Sequence, residues 1–240
     1  MLGRLIAVVV LAAGLHSCVV YEYEHEFWLR VDGSGTVNVT GRPALWTAFK
    51  GLGRPEDPDA TATRESARAL FERSGLRVRR VTLTRRRGHS YLFVSADFRD
   101  VNALGGTPAF PDLKLALNSE GERLRLTGSW SPRAKTPAAL GTADDPQSLM
   151  AVRFHLPSRV YEHRNAFEGV ERGNIVGWRQ TLGEAFAGDR LEVGALMDRR
   201  SILKSTVGLF GVAIGGGLSL LALALYLVHR KGRREREATA

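Results

Sequence analysis

Cysteine is almost missing from this chain: Cys18 is the single one among 240 residues. One thiol cannot close an intramolecular disulfide, and a structural zinc site built on thiolates is excluded with it. Histidine is sparse as well, at six residues, and His155 and His163 stand too far apart for a zinc-binding H-E-x-x-H. The serine elbow G-x-S-x-G and the phosphate loop G-x-x-x-x-G-K-[ST] are absent, and Asp57 and Asp59 lack the rest of a calcium loop. No catalytic constellation, metal or cofactor is therefore expected, and the chain reads as non-enzymatic. Long apolar runs are confined to the two ends.

Those ends say where the protein works. Arg4 gives a short basic head, residues 5–15 are apolar or small, and Ser17 precedes the thiol. Eleven such residues suit an export signal, because a spanning helix needs roughly 20. Leu15 and Ser17 ahead of Cys18 look like a bacterial lipobox, so 1–18 is expected to be a signal with Cys18 lipidated. Ordinary cleavage nearby and an uncleaved helix reaching Val20 are the alternatives. At the other end, 207–228 is free of charge and is followed at once by Arg230, Lys231, Arg233, Arg234 and Arg236. Its length and its basic edge predict a transmembrane helix with the 229–240 tail in the cytoplasm. The domain between, 19–200, then sits on the outer face of the inner membrane. Of the formal +9, the signal and the tail carry four, leaving the exported part mildly basic. Such a balance favours an anionic lipid surface over nucleic acid.

Within the exported domain, residues 21–31 alternate cleanly. Tyr21, Tyr23, His25, Phe27, Leu29 and Val31 share one face, with Glu22, Glu24, Glu26, Trp28 and Arg30 on the other. Asp32-Gly33-Ser34-Gly35 is turn chemistry leading into a second strand over 36–40. Pro43 opens a short helix to Phe49, and 51–62 reads as a loop. Thr63 is expected to cap a helix running to Ser74, stopped by Gly75. A hairpin follows over 76–98, and its apolar phase slips from Leu76 and Val78 to Val81 and Leu83, predicting a bulge near Arg79-Arg80. A third hairpin spans 113–117 and 124–130, then a long loop over 131–147, then strands at 151–156, 174–182 and 190–197. Eight or nine strands and two or three helices, with little βαβ alternation, predict an α+β domain. Its helices should pack on one side of a mostly antiparallel curved sheet.

Three surface features are candidates for chemistry. Glu22, Glu24 and Glu26 form a row that suits a cation, though such a row is more often a solvated face or pairs with basic residues on a neighbouring strand; the arginines 77–87 are the expected partner. Arg77, Arg79, Arg80, Arg85, Arg86 and Arg87 are the densest charge outside the tail. Their guanidinium forks suit lipid headgroup phosphates, while the plainer reading is an edge strand protected against aggregation. Gly211 and Gly215 give the apolar run a G-x-x-x-G, which allows self-association or a membrane-protein partner.

The segment F-H-L-P-S-R-V at 154–160, then Asn165, then G-N-I-V-G-W-R-Q-T-L at 173–182 resembles the corresponding part of LppM-like bacterial lipoproteins. So does the order of a lipobox, an early V-D-G-S-G, a late Trp-bearing strand, one membrane helix and a basic tail. In that resemblance Pro157, Asn165, Gly173 and Trp178 are structural, marking a chain reversal and a core tryptophan. The resemblance implies a domain that binds lipid or glycolipid. A binding cavity would then be lined by Leu45, Trp46, Leu70, Phe71, Leu92 and Val94. The alternative is a protein-interaction or envelope-assembly module, with the 131–147 loop and the glycine face as its contacts.

Overall fold

The computed structural model describes residues 21–52, 60–86, 88–132, 145–171, 173–200 and 202–237. The signal with Cys18, Arg87 and most of the 131–147 loop lie outside these residues. The described chain folds as α+β, with eleven strands in two sheets and four α-helices.

The alternation of residues 21–31 produces β1 (Tyr23–Leu29), whose buried positions are Tyr23, His25, Phe27 and Leu29. The Asp32 carboxylate accepts from the Ser34 amide and hydroxyl, closing the turn into β2 (Gly35–Gly41), and Gly33 takes the left-handed φ of +81° this turn needs. β3 (Arg77–Arg86) and β4 (His89–Phe98) form the next hairpin. Its register jumps between Val78 and Arg80, so Arg79 is the extra residue of the bulge expected from the phase slip. β7 (Leu149–His155) lies parallel to β1, setting Phe27 opposite Phe154 with the rings stacked 4.7 Å apart. With β9 (Phe167–Glu171) and β10 (Ile175–Thr181) these strands form one seven-stranded sheet in the order β3-β4-β2-β1-β7-β10-β9.

A second, wholly antiparallel sheet orders β5 (Leu113–Glu120), β6 (Arg123–Trp130), β11 (Leu191–Asp198) and β8 (Val160–Arg164). Two sheets thus replace the single one expected, and the β1–β7 pair is parallel. The small sheet turns Trp130, Leu126 and Val193 inward, and Trp130 sits 4.5 Å from His25 and 6.0 Å from Tyr23. Helix α1 (Pro43–Lys50) brings Trp46 onto Tyr23, and α2 (Ala60–Arg73) brings Phe71 onto Trp46. All of these side chains except His25, which is buried among them, belong to one continuous apolar core.

Helix α2 begins three residues earlier than expected, so Thr63 is not its cap but a buried residue inside it. β8, β9 and α3 (Leu182–Ala187) are additions to the expected elements. α3 starts with a reciprocal capping box between Thr181 and Glu184, which satisfies the amides that open a helix. β8 and β9 belong to different sheets, so the chain crosses between them at Asn165, the one described non-glycine residue with positive φ (+55°). The Trp178 indole donates to the Arg164 carbonyl at 2.6 Å and pins this corner from inside. The structural roles implied for Asn165 and Trp178 are those the chain gives them.

α4 (Ile202–Glu237) runs 36 residues and contains the apolar run 207–228. Judged on the described residues, no helix is long and apolar enough to cross a membrane. The side chains of Leu209, Ala224, Leu227 and Val228 lie outside that description.

A Cβ added at Gly35 would stand 2.1 Å from the Trp28 carbonyl oxygen and 2.6 Å from the Phe98 ring. Gly35→Ala is expected to cost about 1–3 kcal/mol in urea unfolding followed by tryptophan fluorescence. Gly177→Ala, which meets nothing within 4 Å, should leave the midpoint unchanged or slightly raised.

Candidate functional site

At the end of the large sheet where β3 begins, the Arg79 bulge and the tight turn before β2 leave a groove of about 750 Å³. Arg30, Arg77, Arg79 and Arg99 line it, with Asp97, Glu72, Ser34 and the Phe98 ring. Asp97 organises the arginines. Its Oδ2 accepts from Arg77 Nε at 3.2 Å and Nη2 at 2.7 Å, its Oδ1 accepts from the Thr36 hydroxyl at 2.9 Å, and Arg79 stands 3.7 Å away. Partial burial pushes the Asp97 carboxyl up, but the bonds from Arg77 and Thr36 and the charges of Arg79 and Arg77 outweigh it and hold the pKa below the usual range. The Arg77 guanidinium is mostly exposed, so it is oriented by Asp97 while its outer edge stays open to an anion.

The structure divides the arginine run rather than gathering it. The register sets Arg77, Arg80 and Arg86 on the outer face of edge strand β3, opposite Asp97, Ser95 and His89. Arg85 lies on the other face near the hairpin end, where its Nε meets the Gly88 carbonyl at 3.5 Å. Among the described arginines of the run, Arg77 and Arg79 reach the groove. Arg30 and Arg99 complete it, and sequence reasoning missed both. The signal available for them was their place at the two strand ends that the first turn and β4 bring together.

The glutamate row has a different partner from the one expected. β2 and β4 separate β3 from β1, so the β3 arginines do not face it. Its partners come from β7 in parallel register: Arg153 lies 3.6 Å from Glu24 and 3.7 Å from Glu26, and His155 meets Glu26 at 2.7 Å while stacking on Trp28. Glu22 accepts from the Tyr91 hydroxyl and neighbours Arg42. Burial raises the Glu24 pKa, partly offset by the charge of Arg153. Among the described residues no group of three or more such side chains is placed to hold a metal ion.

Leu45, Trp46, Leu70, Phe71, Leu92 and Val94 are all buried in the core, with Trp46 and Phe71 in ring contact. None of them lines the groove or a second recess of about 380 Å³ on the small sheet, which lies over Gly194 and Leu196 between Arg125, Arg164 and Glu192. Gly211 and Gly215 lie on α4 with nothing within 4 Å of an added Cβ.

The least expected core residue is His25. It is 1% exposed, surrounded by Tyr23, Phe27, Phe110 and Trp130, and neither ring nitrogen has a hydrogen-bond partner among the described residues. Burial, reinforced by the nearby charge of Lys50, lowers its pKa well below the ordinary imidazole value. The folded chain keeps His25 neutral where the unfolded chain takes up a proton. Stability is therefore full above roughly pH 6.5 and falls as pH drops below it, by up to about 1.4 kcal/mol per pH unit for this one proton. His25→Phe should remove that part of the slope when unfolding midpoints are compared between pH 7.5 and 5.

No family model matches the chain, and no curated protein matches it. Among solved structures the chain is distantly similar to the NMR structure of the folded domain of LppM from Mycobacterium tuberculosis. The identity is 15% over 77% of this chain and 95% of that one, with a TM-score of 0.38.

Proposed function

We propose that this protein is a non-enzymatic envelope lipoprotein, held to the outer face of the inner membrane, whose exported domain binds the anionic headgroups of lipids or glycolipids. The observation that carries this reading is α4. Its described large apolar side chains, from Val207 through Tyr226, are each 53–77% exposed, on all sides of the helix. A helix apolar all round has no stable place in water and needs a core or a bilayer to cover it. Read over the full sequence rather than over the described residues alone, the charge-free run of 22 residues matches a bilayer's hydrocarbon thickness, and the basic tail would set its orientation with the C-terminus in the cytoplasm. Cys18 acyl chains would add a second anchor on the outer face.

The groove supports the headgroup part. Four arginines against two carboxylates leave it cationic, and its size suits a phosphorylated headgroup. The burial of the six expected lining residues in the core favours recognition of the head over engulfment of the acyl chains. A protein-contact role is the second reading, favoured by the mixed-charge recess over Gly194 and by the open Gly211–Gly215 face.

The test uses the full chain in zwitterionic bicelles, titrated with short-chain phosphatidylglycerol and read by NMR shifts of arginine side chains. Arg77→Gln combined with Arg99→Gln is expected to weaken binding at least tenfold, and Arg85→Gln to leave it within twofold. Equal binding by all three chains, or none by the parent, would contradict the headgroup reading.

A further inference from the structure

The domain hands the chain to α4 at one place. β11 ends at Asp198, Arg199 and Arg200 follow, and α4 begins at Ile202. Arg123 lies opposite Asp198 in the β6–β11 register. The Asp198 amide donates to the Arg159 carbonyl at 3.2 Å, and the Arg199 amide donates to the Glu122 carbonyl at 3.0 Å. The Arg200 guanidinium is exposed, 3.7 Å from an exposed Glu122 carboxylate. In the middle stands Tyr161, whose hydroxyl donates to Asp198 Oδ2 at 3.3 Å. Arg123 lies over its ring at 4.9 Å and Arg159 at 5.7 Å.

Tyr161 is 47% exposed. Among the described residues it and Phe167 are the large apolar side chains that the folded domain leaves to solvent; the rest are on α4. A half-exposed tyrosine ring beside two guanidinium groups is well suited to a bilayer interface. There the ring sits at headgroup depth and the arginines meet phosphate. The chain geometry brings it there. Three residues separate Asp198 from Ile202 and five helical residues lead to Val207, so this face lies within roughly 20 Å of the first apolar turn.

We propose that this exit face, Tyr161 between Arg123 and Arg159 with Arg199 and Arg200 beside it, docks on the anionic headgroups of the bilayer that α4 enters and fixes how the domain stands on the membrane. The proposal rests on α4 spanning that bilayer. It shares no residue with the groove, so ligand binding and docking are separable.

The experiment reconstitutes the full chain carrying Tyr161→Trp in vesicles whose lipids are brominated high on the acyl chain, and reads the emission added over the parent chain. In phosphatidylglycerol vesicles that emission is expected to be quenched at least twofold more than in phosphatidylcholine. The difference should shrink in 0.5 M salt and in Arg123→Gln/Arg159→Gln. Emission unquenched in phosphatidylglycerol, or quenched equally in both lipids, overturns the docking face. An alkaline wash separates the two readings: a chain that stays with the vesicles yet is unquenched overturns docking alone, and a chain that washes off overturns the anchoring as well.

Discussion

The fold depends on the pairing of β1 with both of its neighbours. Its alternation points Tyr23, His25, Phe27 and Leu29 into one interior, and everything that covers the large sheet is fitted to those four side chains. The parallel partner β7 supplies Phe154 for Phe27, α1 supplies Trp46 for Tyr23, and the second sheet supplies Trp130 for His25 and Tyr23. A slip of one residue in β1 would send all four to the outer face and bring glutamates into the core, so this register is strongly specified.

The same strand settles the outer face. Because β1 lies between β2 and β7, its glutamates are answered locally by Arg153 and His155, and the β3 arginines remain available at the sheet edge. Two of those are turned by the bulge and by Asp97 toward the groove. The burial of the six expected lining residues, the local partners of the glutamate row and the cationic groove favour recognition at the surface, and the membrane roles proposed for α4 and the exit face would bias that surface toward lipid.

Local elements were legible in the sequence because their determinants are local. The 21–31 alternation, the Asp32–Gly35 turn, Pro43 at the start of α1 and the phase slip that becomes the Arg79 bulge each act within a few residues. What escaped is what depends on distant chain. The β1–β7 pairing joins segments more than a hundred residues apart, and without it the partner of the glutamate row could not be named. β8 reads V-Y-E-H-R, with no apolar alternation, because it is an exposed edge strand held by β11 and by the Trp178 bond at the corner. Thr63 looked like a cap because threonine caps helices often, but the helix had already begun at Ala60. The groove was half legible: Arg77 and Arg79 stood out as a run, whereas Arg30 and Arg99 join them only through the fold.

The account turns on α4 lying in a bilayer while the domain stays folded outside it. Hydrogen–deuterium exchange along α4 in the full chain, reconstituted in phosphatidylglycerol vesicles, addresses this most directly. Amides of 207–228 are expected to stay protected for hours, while those of 202–206 and 229–237 exchange within minutes. Uniformly fast exchange along the whole helix, with β1 and β7 still protected, would contradict it.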